Sequence, residues 1–538
     1  MFRVGHVHER SALEPGASRA RHDDVSGRPG RVDAKSTHAM ADGHSPEPSP
    51  PALFKDVLRG SGAYSIPFVA ERLVSTVLLP VTTGFLSPAQ YGIANVLEQF
   101  GSIISLLLGG AYSSALGFFY SKAEPGRARH AVVSTTIFGA LLLGLLAGAL
   151  CLPLAGLMSQ FEFGDRAARG YLYIIFIGLA PSFLLAALMS WLRVENRPGL
   201  FVAGALLRLG VSACSVVLLL VVYGLGLWGL LYSSLAAAVI PALALSAYFL
   251  YRVRPTFDVR LFGRMASFAG PTGLSGIAMF IMHFGDQFIL PHYRSFTEVG
   301  IYSLSYKFGM LVSAVYSSFQ TYWGAQCYQI MKRQDGPAVF SRLFTYMALG
   351  VSFVGLEVVL WSGPAIHLLT ARTYWAATAF VPFVVVAYVL RSFGDFARVV
   401  FYVEGRPGLD AACTWISAAV CLSGYAILIP PFGAWGAIAA TTATFVVYAS
   451  LAIAWTSRLR PCRFDAARLE KIGIAAVAVG VPAFLMPNVS VPAQIGLAIG
   501  LSAAFPALLW LMGFATPGEM AAVRSAMRHV SDRVMQRH

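Results

Sequence analysis

Charge is scarce in this sequence. Asp, Glu, Lys and Arg make up 12% of 538 residues, about half the share usual in soluble domains. The stretches 131–158 and 209–251 hold no charged residue at all. Cysteine is sparse too. None of the six (Cys151, Cys214, Cys327, Cys413, Cys421, Cys462) forms a C-x-x-C pair, and most lie inside apolar segments. That implies neither a disulfide framework nor a metal site, and small core residues are their reading. No G-x-x-x-x-G-K-[ST] loop is present, so an internal ATPase is excluded. The loops between apolar segments are short, with no room for a catalytic domain. The expectation is therefore a protein that is not an enzyme and carries no cofactor.

What the chain does have is apolar length. Hydrophobic residues reach 57%, and the mean hydropathy is +0.65. A bilayer core requires about 20 apolar residues per helix, whereas a membrane β-barrel would show alternating segments of about 10. The fold class expected is an all-α polytopic membrane protein. Fourteen apolar segments can be read, near 61–84, 92–119, 131–158, 170–192, 200–222, 228–250, 266–290, 300–330, 338–362, 376–402, 409–430, 434–456, 472–486 and 494–513.

The ends differ in kind. Residues 1–55 are rich in His, Arg, Ser, Pro, Gly and Asp without an apolar run, which reads as a disordered cytoplasmic tail. Met40 opens a second plausible start, M-A-D-G-H-S-P, so translation of residues 1–39 is an open point. At the other end, Thr516-Pro517-Gly518-Glu519 resembles a capping box. Met520, Val523, Met527, Val530 and Val534 follow at helical spacing among arginines, so 516–538 reads as an amphipathic helix on the inner leaflet or on the protein's own loops.

The net charge of +14 suggests nucleic acid until its placement is examined. With both termini inside, the inner loops hold seventeen Lys and Arg against four outside. The positive-inside rule accounts for the excess, and no nucleic-acid partner is needed.

The chain is duplicated. V-E-N-R-P-G-L at 194–200 returns as V-E-G-R-P-G-L at 403–409. Gly92-Ile93 and Phe100-Gly101 return as Gly300-Ile301 and Phe308-Gly309; Trp228-Gly229 returns as Trp435-Gly436; Leu79-Pro80 returns as Leu290-Pro291. The shift stays near 208 residues and spans six segments. An even number makes the repeat parallel, with its axis along the membrane normal. The organisation expected is a tail (1–55), two six-helix bundles (56–258 and 259–457), a C-terminal helical hairpin (458–515) and the amphipathic tail (516–538). In the heptapeptide, Pro ends one helix and opens the next. Glu195 and Glu404 either pair with neighbouring bases or gate the inner mouth.

Ionisable groups inside a membrane are costly, at about 2.5–3.5 kcal/mol each on insertion scales, and mark cavities or pairs. Here they are Glu71, Arg72, Glu98, Arg208, His283, Asp286, Lys307, Glu357, Arg391, Asp395 and Arg398. The i, i+4, i+7 spacing puts Arg391, Asp395 and Arg398 on one helix face, either as an internal ion-pair set or as a cationic face for an anion. Asp286 reads as a coupling acid or as half of a salt bridge. Arg208 either lines a lumen or snorkels to the inner surface.

The runs Gly285-Asp286-Gln287-Phe288-Ile289-Leu290 and Phe296-Thr297-Glu298-Val299-Gly300-Ile301-Tyr302-Ser303-Leu304-Ser305-Tyr306-Lys307 resemble segments 7–8 of Wzx-type polysaccharide flippases. So does Leu86-Ser87-Pro88-Ala89-Gln90-Tyr91-Gly92-Ile93, with the two E-x-R-P-G loops and the paired Trp-Gly starts. The likeness covers about residues 58–513. These flippases belong to the multidrug/oligosaccharidyl-lipid/polysaccharide (MOP) exporter superfamily. The resemblance implies two six-helix bundles in a V and alternating access in a bacterial inner membrane. Its implied partners are the bilayer, a polyprenyl-pyrophosphate-linked glycan, a coupling ion (H+ or Na+) and other polysaccharide assembly proteins. In that frame Arg72, Arg208, Lys307, Arg391 and Arg398 are candidates to hold pyrophosphate or acidic sugar. Glu71, Glu98, Asp286 and Asp395 are candidates for coupling or gating. Gln287 follows Asp286 where many relatives carry a basic residue, which puts an ion pair there in doubt. A multidrug exporter of the same superfamily and a lipid-linked peptidoglycan-precursor flippase are the alternatives.

Overall fold

The computed structural model describes residues 70–71, 73–253, 255–462, 464–485 and 490–514. The expected tail 1–55, the amphipathic helix 516–538 and Arg72 lie outside these residues. Every regular element within them is helical. We number them α1 (Leu79–Phe85), α2 (Pro88–Ile104), α3 (Ala111–Lys122), α4 (Arg127–Cys151), α5 (Ala155–Phe163), α6 (Arg169–Val194), α7 (Pro198–Val216), α8 (Gly226–Arg252), α9 (Val259–Ile289), α10 (Phe296–Met331), α11 (Gly336–Leu369), α12 (Val381–Ala397), α13 (Val399–Val403), α14 (Pro407–Phe432), α15 (Ala434–Leu459), α16 (Ala466–Leu485) and α17 (Val491–Leu511). A π-helical stretch, Ser105–Gly110, joins α2 to α3, and another, Val217–Val222, extends α7.

A helix thus lies over each apolar segment from the second to the fourteenth. Nine helices among the described residues are long and apolar enough to cross a membrane, or ten if the pair Arg372–Ala379 and Val381–Val403, bent by 48°, is one span. The protein is a multi-pass membrane protein. Its outward side chains agree, since Leu145, Leu150, Ile177, Val222, Leu243 and Ile427 all face away from the protein. In water such a belt would be an aggregation site; in lipid it is solvated.

The repeated heptapeptide is a helix-to-helix elbow. Asn196 and Gly405 have φ of 54° and 65°, the left-handed region that Gly and Asn tolerate best. This is why the one variable position alternates between those two residues. The Arg197 amide donates to the Leu192 carbonyl at 2.9 Å, and the Arg406 amide to the Phe401 carbonyl at 2.7 Å, closing the preceding helix as a left-handed cap does. Pro198 and Pro407 then open α7 and α14, where no amide is required. Both glutamates are ion-paired. Glu195 pairs with Arg197 at 2.9 Å, and Glu404 with Arg460 at 2.7 Å.

Buried side chains form two large cores. One gathers residues of α2 to α8 with the start of α9, including Tyr112, Phe176, Phe183 and Trp191. The other gathers α9 to α15 with Leu79 of α1 and Tyr91 and Val96 of α2, and is strongly aromatic; Trp323 and Phe396 stack at 4.3 Å and 7°. A smaller core fastens α16 and α17 to α11. Glu357 belongs to that junction, because its carboxylate accepts from Ser502 of α17 at 2.9 Å and from Trp361 at 3.0 Å. Lipid chains are as apolar as leucine, so close packing and such polar contacts hold the helices together.

Candidate functional site

The two halves meet along a seam between the second segment (α2, the π stretch and α3) and α9. Phe118 stacks on Phe268 at 4.6 Å near the basic face, and Phe100 meets Phe288 edge-on at 5.0 Å farther along. At the end opposite the basic face, α2 crosses α10. Gly92 and Gly300, partners under the 208-residue shift, face each other there. A Cβ at Gly92 would run into the Phe296 carbonyl oxygen, and one at Gly300 into the Pro88 carbonyl oxygen. Only two glycines permit this backbone contact. The crossing helices begin alike. Ser87 accepts from the Gln90 amide at 3.2 Å and Ser295 from the Glu298 amide at 3.4 Å, an N-cap repeated at the same shift. The copies then diverge. The Gln90 side chain completes a capping box, while Glu298 accepts from the Ala434 amide at 2.8 Å and so caps α15. Tyr374 adds a further tie, donating to the Leu86 carbonyl at 3.0 Å.

Beneath this crossing lies a polar layer built from both halves. Asn95 of α2 donates to the Gln287 side chain of α9. The Lys307 ammonium lies 4.9 Å from the centre of the Tyr91 ring, a cation–π contact across the halves. Glu98 is exposed one turn along α2, and Gln99 beside it is buried with its Oε1 unpartnered among the described residues. Asp286 points away from this layer into the second half and is 0% exposed. Its Oδ2 accepts from the Tyr302 hydroxyl at 2.5 Å and its Oδ1 from the Gln287 amide at 2.9 Å.

A second polar layer lies farther down α12. Asp395, 3% exposed, accepts an ion pair from each side: Arg391 Nε at 3.3 Å and Arg398 Nε at 3.3 Å. Tyr448 donates to it at 2.8 Å. Arg398 also reaches Asp410 at 3.1 Å, and Asp410 accepts from Tyr402 at 2.7 Å. Arg391 donates to Ser313 at 3.0 Å. Signs alternate along this chain, so its members neutralise one another. Arg398 is held between two carboxylates, while Arg391 shares one carboxylate and leans on a neutral hydroxyl. His283 sits between the layers, its Nδ1 3.4 Å from the Tyr388 hydroxyl.

Comparison with known proteins places this architecture. Residues 57–322 match the family described as "Polysaccharide biosynthesis protein". No curated protein matches the chain by sequence. Among solved structures, the lipid II flippase MurJ in an inward closed conformation superposes with a TM-score of 0.67 at 14% identity, covering 85% of this chain and 100% of that one. A multidrug resistance MATE family transporter of the MOP superfamily superposes in its inward-facing conformation with a TM-score of 0.60 at 16% identity, covering 77% and 99%. An outward-facing MATE transporter gives 0.56 at 17%, covering 76% and 95%. The chain shares the fold of these structures.

Within this fold the residues singled out in the sequence fall into separate groups. Arg391, Asp395 and Arg398 come together, and they do so as ion pairs. Lys307 and Glu98 lie in the layer shared by the halves, with Asp286 buried behind it. Arg208 is exposed midway along α7 and Glu71 is exposed before α1; neither joins these clusters. Sequence reasoning missed Asn95, Tyr302, Tyr448 and Asp410. Asp410 carried a readable signal, because the first elbow continues R-P-G-L-F and the second R-P-G-L-D, an acid gained in one copy only.

Proposed function

We propose that this protein is a flippase that carries a polyprenyl-pyrophosphate-linked oligosaccharide across the bacterial inner membrane by alternating access, in polysaccharide biosynthesis. Its termini and basic loops face the cytoplasm. The observation that carries the reading is the crossing at Gly92 and Gly300, where two duplicated helices close one end of the molecule over a polar layer built from both halves. Rocking the halves parts them at this contact and opens that side as the other closes. The match to the polysaccharide biosynthesis family supports the cargo class, and the likeness to a lipid II flippase supports a lipid-linked one.

Lys307 and Arg391 are the cations best placed to take a diphosphate. Arginine offers planar, charge-assisted pairs of hydrogen bonds and keeps its charge. Arg208 and Arg72 serve the same cargo from the first half. Arg398, fixed by two acids, orients Asp395. Asp286, Glu98 and Glu71 are the groups for an inward coupling flux of H+ or Na+. The buried Asp286 and the balanced Arg–Asp chain are also what a drug exporter would use, which makes multidrug export the second reading.

Deleting the gene and counting lipid-linked oligosaccharide on each leaflet separates them. Accumulation on the inner leaflet is expected. Unchanged leaflet levels with new drug sensitivity would overturn the flippase reading.

A further inference from the structure

A crevice of about 600 Å3 straddles the seam near the crossing. The first half supplies Phe100, Leu157, Met158, Phe161 and Glu162; the second supplies Phe288, Ile289, His292 and Tyr293. Glu162, on α5 beyond the membrane-spanning α4, is 6% exposed, and its Oε1 has no hydrogen-bond partner among the described residues. A carboxyl group this buried, with one oxygen unpartnered, is disfavoured as an anion. We propose that Glu162 is a protonation-controlled latch: its neutral form holds the two halves together at the crossing end, and its ionised form releases them.

The geometry supports a latch because the crevice walls come from both halves. Phe161 packs on His292 at 4.7 Å and Phe163 on Phe296 at 5.6 Å, so separating the halves at this end exposes Glu162 to water. The ionisable groups on the elements around α5 are Asp165 and Arg166 in the following turn, Arg169, Tyr171 and Tyr173 at the start of α6, and His292 and Tyr293 from the second half. None forms an ion pair with Glu162 among the described residues, and the His292 Nδ1 is taken by the Phe288 carbonyl at 2.9 Å. Burial accordingly raises the Glu162 carboxyl from 4.5 to about 8.

The sign follows from linkage. The closed end binds the proton more tightly than the opened end, where the carboxyl is hydrated. Closure is at full strength below the ordinary value of 4.5 and weakens as pH rises to about 8. From pH 6 to pH 8 the balance moves about 50-fold toward opening.

The latch rests on the alternating-access reading, and double electron–electron resonance tests the two apart. Spin labels are placed at Gln160→Cys and Thr297→Cys, with Cys151 and Cys214 replaced by serine, in protein reconstituted in nanodiscs. The separation should lengthen from pH 6 to pH 8. Glu162→Gln should stay short at every pH, and Met158→Ser, which admits water, should move the transition to lower pH. His292→Gln should leave the transition in place. A pH response that survives Glu162→Gln, or vanishes in His292→Gln, overturns the latch. A separation that responds to added undecaprenyl pyrophosphate but not to pH also overturns the latch while leaving alternating access standing. A separation fixed under all conditions overturns both.

Discussion

Gly300→Ala is the sharpest probe of the crossing between the halves. The added methyl would meet the Pro88 carbonyl oxygen first and then the Gly92 amide nitrogen at 3.0 Å. Both neighbours are backbone, so no side chain can turn aside. Overpacking of this kind costs about 1–3 kcal/mol. Because the two backbones belong to different halves, the strain falls on the closed arrangement and is relieved when the helices part. A penalty of about 2 kcal/mol lowers the closed population about 30-fold relative to the open one. Gly117→Ala on α3 is the control, since a Cβ there meets nothing within 4 Å. That change should stabilise its helix by up to about 1 kcal/mol. The assay is the Gln160–Thr297 label separation at pH 6 together with thermal unfolding in detergent. Gly300→Ala should lengthen the separation and lower Tm, and Gly117→Ala should do neither. If Gly300→Ala behaves like Gly117→Ala, the two backbones are not in contact and the argument fails.

Other expectations can be checked in the same preparations. Asp395→Asn leaves Arg391 and Arg398 facing each other across a buried neutral group; breaking such a network costs about 3–5 kcal/mol, seen as a large fall in Tm. Gly405→Asn should be tolerated, whereas Gly405→Val should lose about 1–2 kcal/mol, because a β-branched residue is placed at φ 65°. Lys307→Ala and Arg391→Ala should each reduce oligosaccharide export at least tenfold at normal protein levels. Normal export in both variants would remove the cationic site.

Much of the architecture was legible because membrane insertion acts on local composition. The elbow could be placed from R-P-G, since proline ends and opens helices wherever it stands. Its full logic could not: the Asn196/Gly405 alternation acquires meaning only with the positive φ found at both. Among the candidate site residues, the shared helix face of Arg391, Asp395 and Arg398 followed from spacing. The choice between an ion-pair set and a cationic face depended on what opposed them. Tyr448 comes from α15, Asp410 from α14 and Ser313 from α10, each on a different helix from the three. Glu162 escaped notice because it falls just past an apolar segment and reads as an ordinary loop acid. Its burial comes from the packing of α5 on α6, on the turn Arg166–Ala168 and on the turn Leu290–His292 that follows α9.

The sequence by itself determined an all-helical membrane protein, its duplication and its distribution of basic residues. These depend on apolar run length, on recurrence and on loop charge, all properties of neighbouring residues. Tertiary structure decided how the copies use what they share. Gly92 and Gly300 are marks of a repeat in the sequence; in space they are a point where the backbones of the copies touch. It likewise decided that Asp286 turns inward to Tyr302 while Lys307 reaches across to Tyr91. Such assignments depend on distances between helices, 16 residues apart in the chain for Asp286 and Tyr302 and far more for Tyr91 and Lys307, and packing alone sets those distances.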